Sequence, residues 1–367
     1  MSTAVSGPIL RRGDGAVPGA DYLPCDPDEV LWGRLPCAAD RPVISTRPGL
    51  SLTVDTLSHE GLLPDQGSDP RAFFGRHGVD PELVLEESVA LTATRTRATD
   101  DGPHVVTGPI EVVGARPGDV LAIHIEAAER RVPYGVISNR HGRGALPGEL
   151  PRGSDTYSAF AAVRDIDGEA YAVLPRRRGG DLGETGSVVS FPLAEFPGIV
   201  GVAVPGSSRP HSVPPGAHGG NLDINLMRPG ATVYLPVRVP GALAYLGDPH
   251  FAQGDGEVAL TALEASLRVT LRLEVLDPSE TAARFGDLLG PLVETADHLV
   301  PTGLDEDLDV AVQNCVRAAL ALLEARYGMD RGQAYAYLSA ATDFNISQVV
   351  DLVKGVHARI RKADFER

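Results

Sequence analysis

Basic residues are scarce in this chain, and cysteines scarcer. Lys and Arg number 33 against 49 Asp and Glu, for a formal net charge of −16. Such a balance argues against nucleic acid and anionic membranes as partners. The three cysteines, Cys25, Cys37 and Cys315, are odd in number, widely spaced and without a CxxC pair. They argue against a disulfide framework and read as free thiols in a reducing compartment, so the expected location is cytoplasmic. No basic stretch precedes an apolar run at the N-terminus, and no apolar run reaches 18 residues. Neither a secretion signal nor a membrane span is expected.

The 367 residues are 43% hydrophobic, enough to bury a core. Gly 41 and Pro 30 supply many turns, as a β-rich fold with long loops requires. Residues 1–45 lack periodicity and read as an extended arm. LSLTVDTL, 50–57, alternates like a strand, and a short helix fits near Pro70–Phe74. VTGPIEVVGARPGDVLAIHIEAAE, 106–129, reads as two strands around the turn Arg116-Pro117-Gly118-Asp119. Residues 131–153 read as a long loop, and 160–204 as several short strands. SLRVTLRLEVL, 266–276, is the clearest strand, with Leu267, Val269, Leu271, Leu273 and Val275 facing one way. Three helices are then expected, over 307–328 with Gly328 as its stop, 331–341 and 346–363. Strands followed by helices predict an α+β fold: the arm 1–45, a β-rich catalytic region 46–278, and a helical region 279–367 packed on it.

GDPHFAQGDGE, 247–257, concentrates Asp248, His250, Asp255 and Glu257 in a loop punctuated by Gly and Pro. Such a loop can fold back and point oxygens and a nitrogen at one spot, as a divalent cation or a water-activating carboxylate requires. PHSVPPGAHGGNLDINL, 210–226, adds His211, His218, Asn221 and Asp223. Residues 231–247 between them read as a hairpin turning at Pro240-Gly241, which brings both loops to one end of a sheet.

HGGNLD, YLPVRVPGALAYLGD and PHFAQGDGEVALTALEA resemble the acetamidase/formamidase family. TGPIEVVGARPGDVLAIHI (107–125) is similar to that family's earlier signature, and ATDFNISQVVD (341–351) with KGVHA (354–358) to its C-terminal one. The resemblance runs from about residue 45 to about 360. It implies an amidohydrolase acting on linear amides, releasing ammonia and a small carboxylate, with a divalent metal in the site. Where the family carries a Ser-Gly-Gln-like segment, this chain has His59 and Glu60, which alters the site or adds ligands.

Amide hydrolysis near neutral pH needs an activated nucleophile, stabilisation of the oxyanion and a proton for the departing amine. A metal can supply the first two. Carboxylates with imidazoles suit zinc, and an all-oxygen set suits calcium or magnesium; zinc is the expected ion, with calcium admissible as a second. The expected ligands are His250, Asp248, His218, Asp223, Asp255 and His59. Glu257 is assigned as general base and His141 as proton donor. Asn221, Asn139, Arg140, Glu60 and His104 are assigned to substrate, with SNRHGRG (138–144) as a specificity loop for an anionic or polar group. His124 reads as structural. Asp343, Asn345, Ser347 and Gln348 read as the mouth of a helix that Ser347 or Asn345 caps. Gly206-Ser207-Ser208 lacks the surroundings of a serine amidase, and HGGN has no GxSxG to accompany it. The expected partner is a small amide, and the long arm favours a homodimer or larger homo-oligomer. Two other readings stay open: a non-catalytic metal- or small-ligand-binding β-protein, and a hydrolase of a lactam, carbamoyl or guanidino compound.

Overall fold

The computed structural model describes residues 5–180, 182 and 186–365. The fold is α+β, built on one sheet of nine strands and one of eleven. Leu267–Leu276 shows why the first sheet forms. Leu267, Val269, Leu271 and Leu273 alternate at the period of a strand and all point into the core. The opposite face is not left to water: the guanidinium of Arg268 is also buried and donates to Asp55 at 2.6 and 3.0 Å. The strand pairs with Ser51–Asp55 on one side and Val120–Arg130 on the other. Val120–Arg130 in turn pairs with Thr232–Pro236, which pairs with Leu292–Glu294.

Ala244–Ala252 runs through the middle of the second sheet, between Phe196–Val202 on one side and Val105–Val112 and Leu263–Glu264 on the other. The expected hairpin over 231–247 does not form, because its two strands belong to different sheets. Both are buried on both faces, so apolar content marked them as strands but not as partners. The chain crosses between the sheets through left-handed backbone at Gly241, Ala242 and Leu243. The 131–153 segment begins as a strand, Tyr134–Arg140, paired with Thr156–Ile166.

Five α-helices are described: α1 (Pro70–Gly75), α2 (Glu86–Thr94), α3 (Pro278–Phe285), α4 (Leu308–Tyr327) and α5 (Arg331–Ala341). Helix α4 starts where Asp307 accepts from the amides of Asp309 and Val310, a cap that contributes about 1 kcal/mol. It ends at Gly328, at φ +62°. The third expected helix, 346–363, is instead a pair of antiparallel strands, Asp343–Gln348 and Lys354–Arg361. Val356, Ala358 and Ile360 are buried at period two, a strand spacing hidden among residues that also fit three-and-four spacing. Asn345 and Ser347 therefore lie on a strand and cap no helix. Among the described residues no helix is long and apolar enough to cross a membrane.

Candidate active site

The site forms where Ala244–Ala252 passes Phe196–Val202. Phe196 pairs with His250 and Ile199 with Gly247, leaving Gly198 beside the acidic turn. A Cβ on Gly198 would stand 2.5 Å from Asp223 Oδ1, 2.6 Å from His250 Cε1 and 2.9 Å from Asp248 Oδ2. Only glycine leaves that space open. The Gly198 carbonyl also accepts from the amides of Leu222 at 3.1 Å and Asp223 at 3.3 Å, which draws the 210–226 loop in. The two loops thus converge as expected, but through the pairing of Phe196–Val202 rather than through a hairpin.

Three overlapping groups of ligand atoms result: Asp223, His250 and Glu257; Asp248, His250 and Glu264; His59, His104 and Asp248. His250 Nε2 lies 3.0 Å from both Asp248 Oδ2 and Glu264 Oε1, and its Nδ1 lies 3.9 Å from Asp223 Oδ1. His59 Nδ1 is 3.5 Å and His104 Nε2 3.6 Å from Asp248 Oδ1. All these residues are buried, Asp223 and His250 completely. Asp223, Asp248 and Glu257 each hold left-handed backbone, at φ +49°, +50° and +45°. Non-glycine residues in that region carry strain of about 1 kcal/mol or more, and strain of this kind concentrates at functional sites.

The electrostatics show the same concentration of charge. Burial, then the Asp248 charge, raises Asp223 to about 6 and Glu264 to about 7. Burial, then Asp223, raises Glu257 and Asp351 well above the carboxylate range. Burial opposes ionisation of His59, but the carboxylates of Asp248 and Glu60 beside it outweigh that and raise it to about 10. His104 is pushed down to about 4, by burial first. Buried atoms without a hydrogen-bond partner cluster here: both oxygens of Asp223, Asp248 Oδ1, Glu264 Oε2, His250 Nδ1, both nitrogens of His59, and Asn221 Oδ1. Buried polar groups are ordinarily satisfied. A knot of acceptors facing one another fits a cation of the kind that imidazole and carboxylate bind together.

The cluster floors a cavity of about 790 Å³, whose lining includes His59, His104, Asn221, Arg140, Asp248, Glu257 and Glu264. Glu60, behind His59, accepts from Ser138 Oγ at 2.6 Å and Gln66 Nε2 at 2.5 Å. Other sequence-picked residues sit outside the cluster. The His218 ring lies against Gly216 and Gly220, and its Nε2 has no partner. Asp255 is exposed and accepts from Asn225 at 2.9 Å and Asn345 at 2.7 Å. His141 is exposed just past Tyr134–Arg140, and Asn139 donates to the Ala259 carbonyl at 2.8 Å. His124 bonds Thr232 and Glu274, a structural role.

Glu264 and Asp351 were not singled out from sequence. Glu264 lies in the apolar run ALTALEA, and its acid stands out only when Leu263–Glu264 pairs with the strand of His250. Asp351 lies within the expected helix 346–363, which does not form. Its amide and that of Val350 donate to Gln348 Oε1 at 3.1 and 3.0 Å, which holds Asp351 toward Asp223.

The family model described as "Acetamidase/Formamidase family" matches residues 206–360. A Schizosaccharomyces pombe protein, provisionally named a formamidase, is 31% identical over 47% of this chain and 52% of its own length, so the chain spans about half of that relative. The formamidase of Methylophilus methylotrophus is 27% identical over 68% of this chain and 74% of its own. The crystal structure of an acetamidase from Bacillus halodurans superposes with a TM-score of 0.71 at 25% identity, covering 94% of this chain and 98% of that one. The family model thus matches the segment that carries most of the site, and the chain shares its fold with an acetamidase along almost all of its length.

Proposed function

We propose that this chain is a metal-dependent amidohydrolase that cleaves the C–N bond of small linear amides to ammonia and a carboxylate. The observation that carries the reading is the unpartnered His/Asp/Glu cluster at the floor of an open cavity. The names of its relatives supply the substrate class. Asp223 and His250 would hold the ion, with Glu257 next to it as the base and His59, His104 and Asp248 able to hold a second ion. Zinc matches this mixed donor set, and calcium would need the carboxylates alone. Bound there, a divalent ion lowers the pKa of water and polarises the amide carbonyl.

The chain's own groups do the rest. Glu264 and Asp248 accept at His250 Nε2 and so leave Nδ1 to face Asp223, which fixes the ring's orientation. Glu257 borders the cavity, where its carboxylate can take a proton from the attacking water and return it to the departing nitrogen. Asn221, with its side-chain oxygen free of protein partners, is placed to receive the substrate N–H. Three buried free thiols support a reducing, cytoplasmic setting. Self-association is supported by an apolar groove of about 750 Å³ between α4 and residues 285–292, at whose edge Leu289 is 76% exposed.

The test is ammonia release from formamide and acetamide before and after chelation. Turnover that disappears with the chelator and returns with zinc is expected. Full turnover by metal-free protein would defeat the metal-dependent reading. Stoichiometric metal with no turnover on any amide would favour the binding-protein alternative.

A further inference from the structure

Resting on the amidase reading, we infer that Arg140, with Arg143 and Arg97 lining the same cavity, forms a carboxylate subsite, so that the preferred substrates are amides whose acyl chain ends in a carboxylate. Formamide and acetamide have three or four heavy atoms. A cavity of about 790 Å³ lies in the range that suits far larger ligands. Besides the acidic cluster, its lining carries Arg97, Arg140, Arg143 and His211, with Asp65, Asp100 and Asp101 among them.

Arg140 is the group best placed to bind. Its Nε donates to Asp65 Oδ2 at 2.6 Å, which fixes the guanidinium plane. Its Nη2 is buried and has no hydrogen-bond partner, although the charge of Glu60 lies 4.0 Å away. A fixed guanidinium with a free N–H is preorganised for a planar anion. From Arg140 the path inward is short. Glu60 Oε1 is 3.3 Å from His59 Nε2, and His59 Nδ1 is 3.5 Å from Asp248. The acyl length that joins the two ends is what a pair of acids of different length reads out. Two of the lining acids are engaged already: Asp65 accepts from Arg140 and from Thr156 at 3.1 Å, and Asp101 accepts from Arg34 at 2.5 Å. Arg143 has no ion-pair partner among the described residues and sits on the loop that follows Tyr134–Arg140. The Nε of Arg97 is buried and unpartnered as well.

The experiment compares ammonia release from succinamic and glutaramic acids with that from butyramide and valeramide, neutral amides of matching length, using zinc-loaded protein. The expected result is a kcat/KM about 10- to 100-fold higher for the carboxylated amides, the range for one charge-assisted hydrogen bond. Arg140→Gln should erase that preference, mainly through KM, while Arg140→Lys restores part of it. Arg143→Gln breaks no ion pair, so it keeps the test open if loss of the Asp65 contact unfolds the first variant; it should lower the preference several-fold. Equal kcat/KM for carboxylated and neutral amides would overturn the subsite and leave the amidase reading standing. No release from any amide, neutral or charged, would remove both.

Discussion

In the proposed reaction, proton transfer turns on Glu257. It is buried, strained in its backbone, and raised well above the carboxylate range by burial and by Asp223. A cation among the three acids would reverse that shift and leave an ionised base facing the cavity. Replacing Glu257 by Gln keeps size and one acceptor oxygen but removes the base. Turnover on formamide should fall about 10²- to 10⁴-fold, with KM changed little, in steady-state ammonia assays. A variant with wild-type kcat would assign the base elsewhere. At this scale much of the site was legible from residue types alone. His250, Asp248, Asp223, Glu257, His59 and His104 meet because Gly, Pro and acid loops are where such groups converge. Glu264 and Asp351 were not legible, since one acid in an apolar run has no pattern of its own. Asp255 drew notice by the same logic that found Asp248, yet it is exposed, with its oxygens held by two asparagines.

The element that makes the site is the passage of Phe196–Val202 against Ala244–Ala252, with Gly198 at its centre. Gly198→Ala places a methyl within 2.5 to 2.9 Å of two carboxylates and an imidazole. The backbone there has ordinary φ, so the variant should fold with the wild-type circular dichroism spectrum while its bound zinc, by elemental analysis, drops to near zero. Full zinc occupancy in a folded Gly198→Ala protein would place the ion elsewhere. Elements were readable where one period dominated. Leu267–Leu276 and α4 each carry an unambiguous apolar stripe, and Asp307 and Gly328 mark the helix ends. Residues 346–363 carry apolar positions that satisfy both periods, and pairing of Lys354–Arg361 with Asp343–Gln348 and with the distant His298–Asp305 selects the strand. The hairpin failed for a related reason. Alternation identifies strands, but sheet membership depends on partners more than a hundred residues away, such as Val120–Arg130 for Thr232–Pro236.

Over the whole molecule, strands and loops from distant parts of the chain bring together a concentration of like charge that the fold alone does not neutralise. The consequence is a pH dependence with a definite sign. His59 has a folded pKa of about 10 against an ordinary 6.5. Its contribution is fully present below 6.5 and is lost as pH rises toward 10. Asp223 and Glu264, raised to about 6 and 7, add losses that are complete just above neutrality. His104, His218 and His357, each pushed down to about 4, act oppositely, but only below 6.5. Above pH 7 the metal-free protein therefore only loses stability. Zinc binding favours deprotonated ligands and adds stability to the folded state alone, so its effect grows with pH. The most direct measurement is thermal unfolding of chelated and zinc-saturated protein from pH 7 to 9. The account predicts a chelated midpoint that falls with pH and a zinc-dependent rise that widens as it does. Coincident unfolding curves with and without zinc across that range would contradict it.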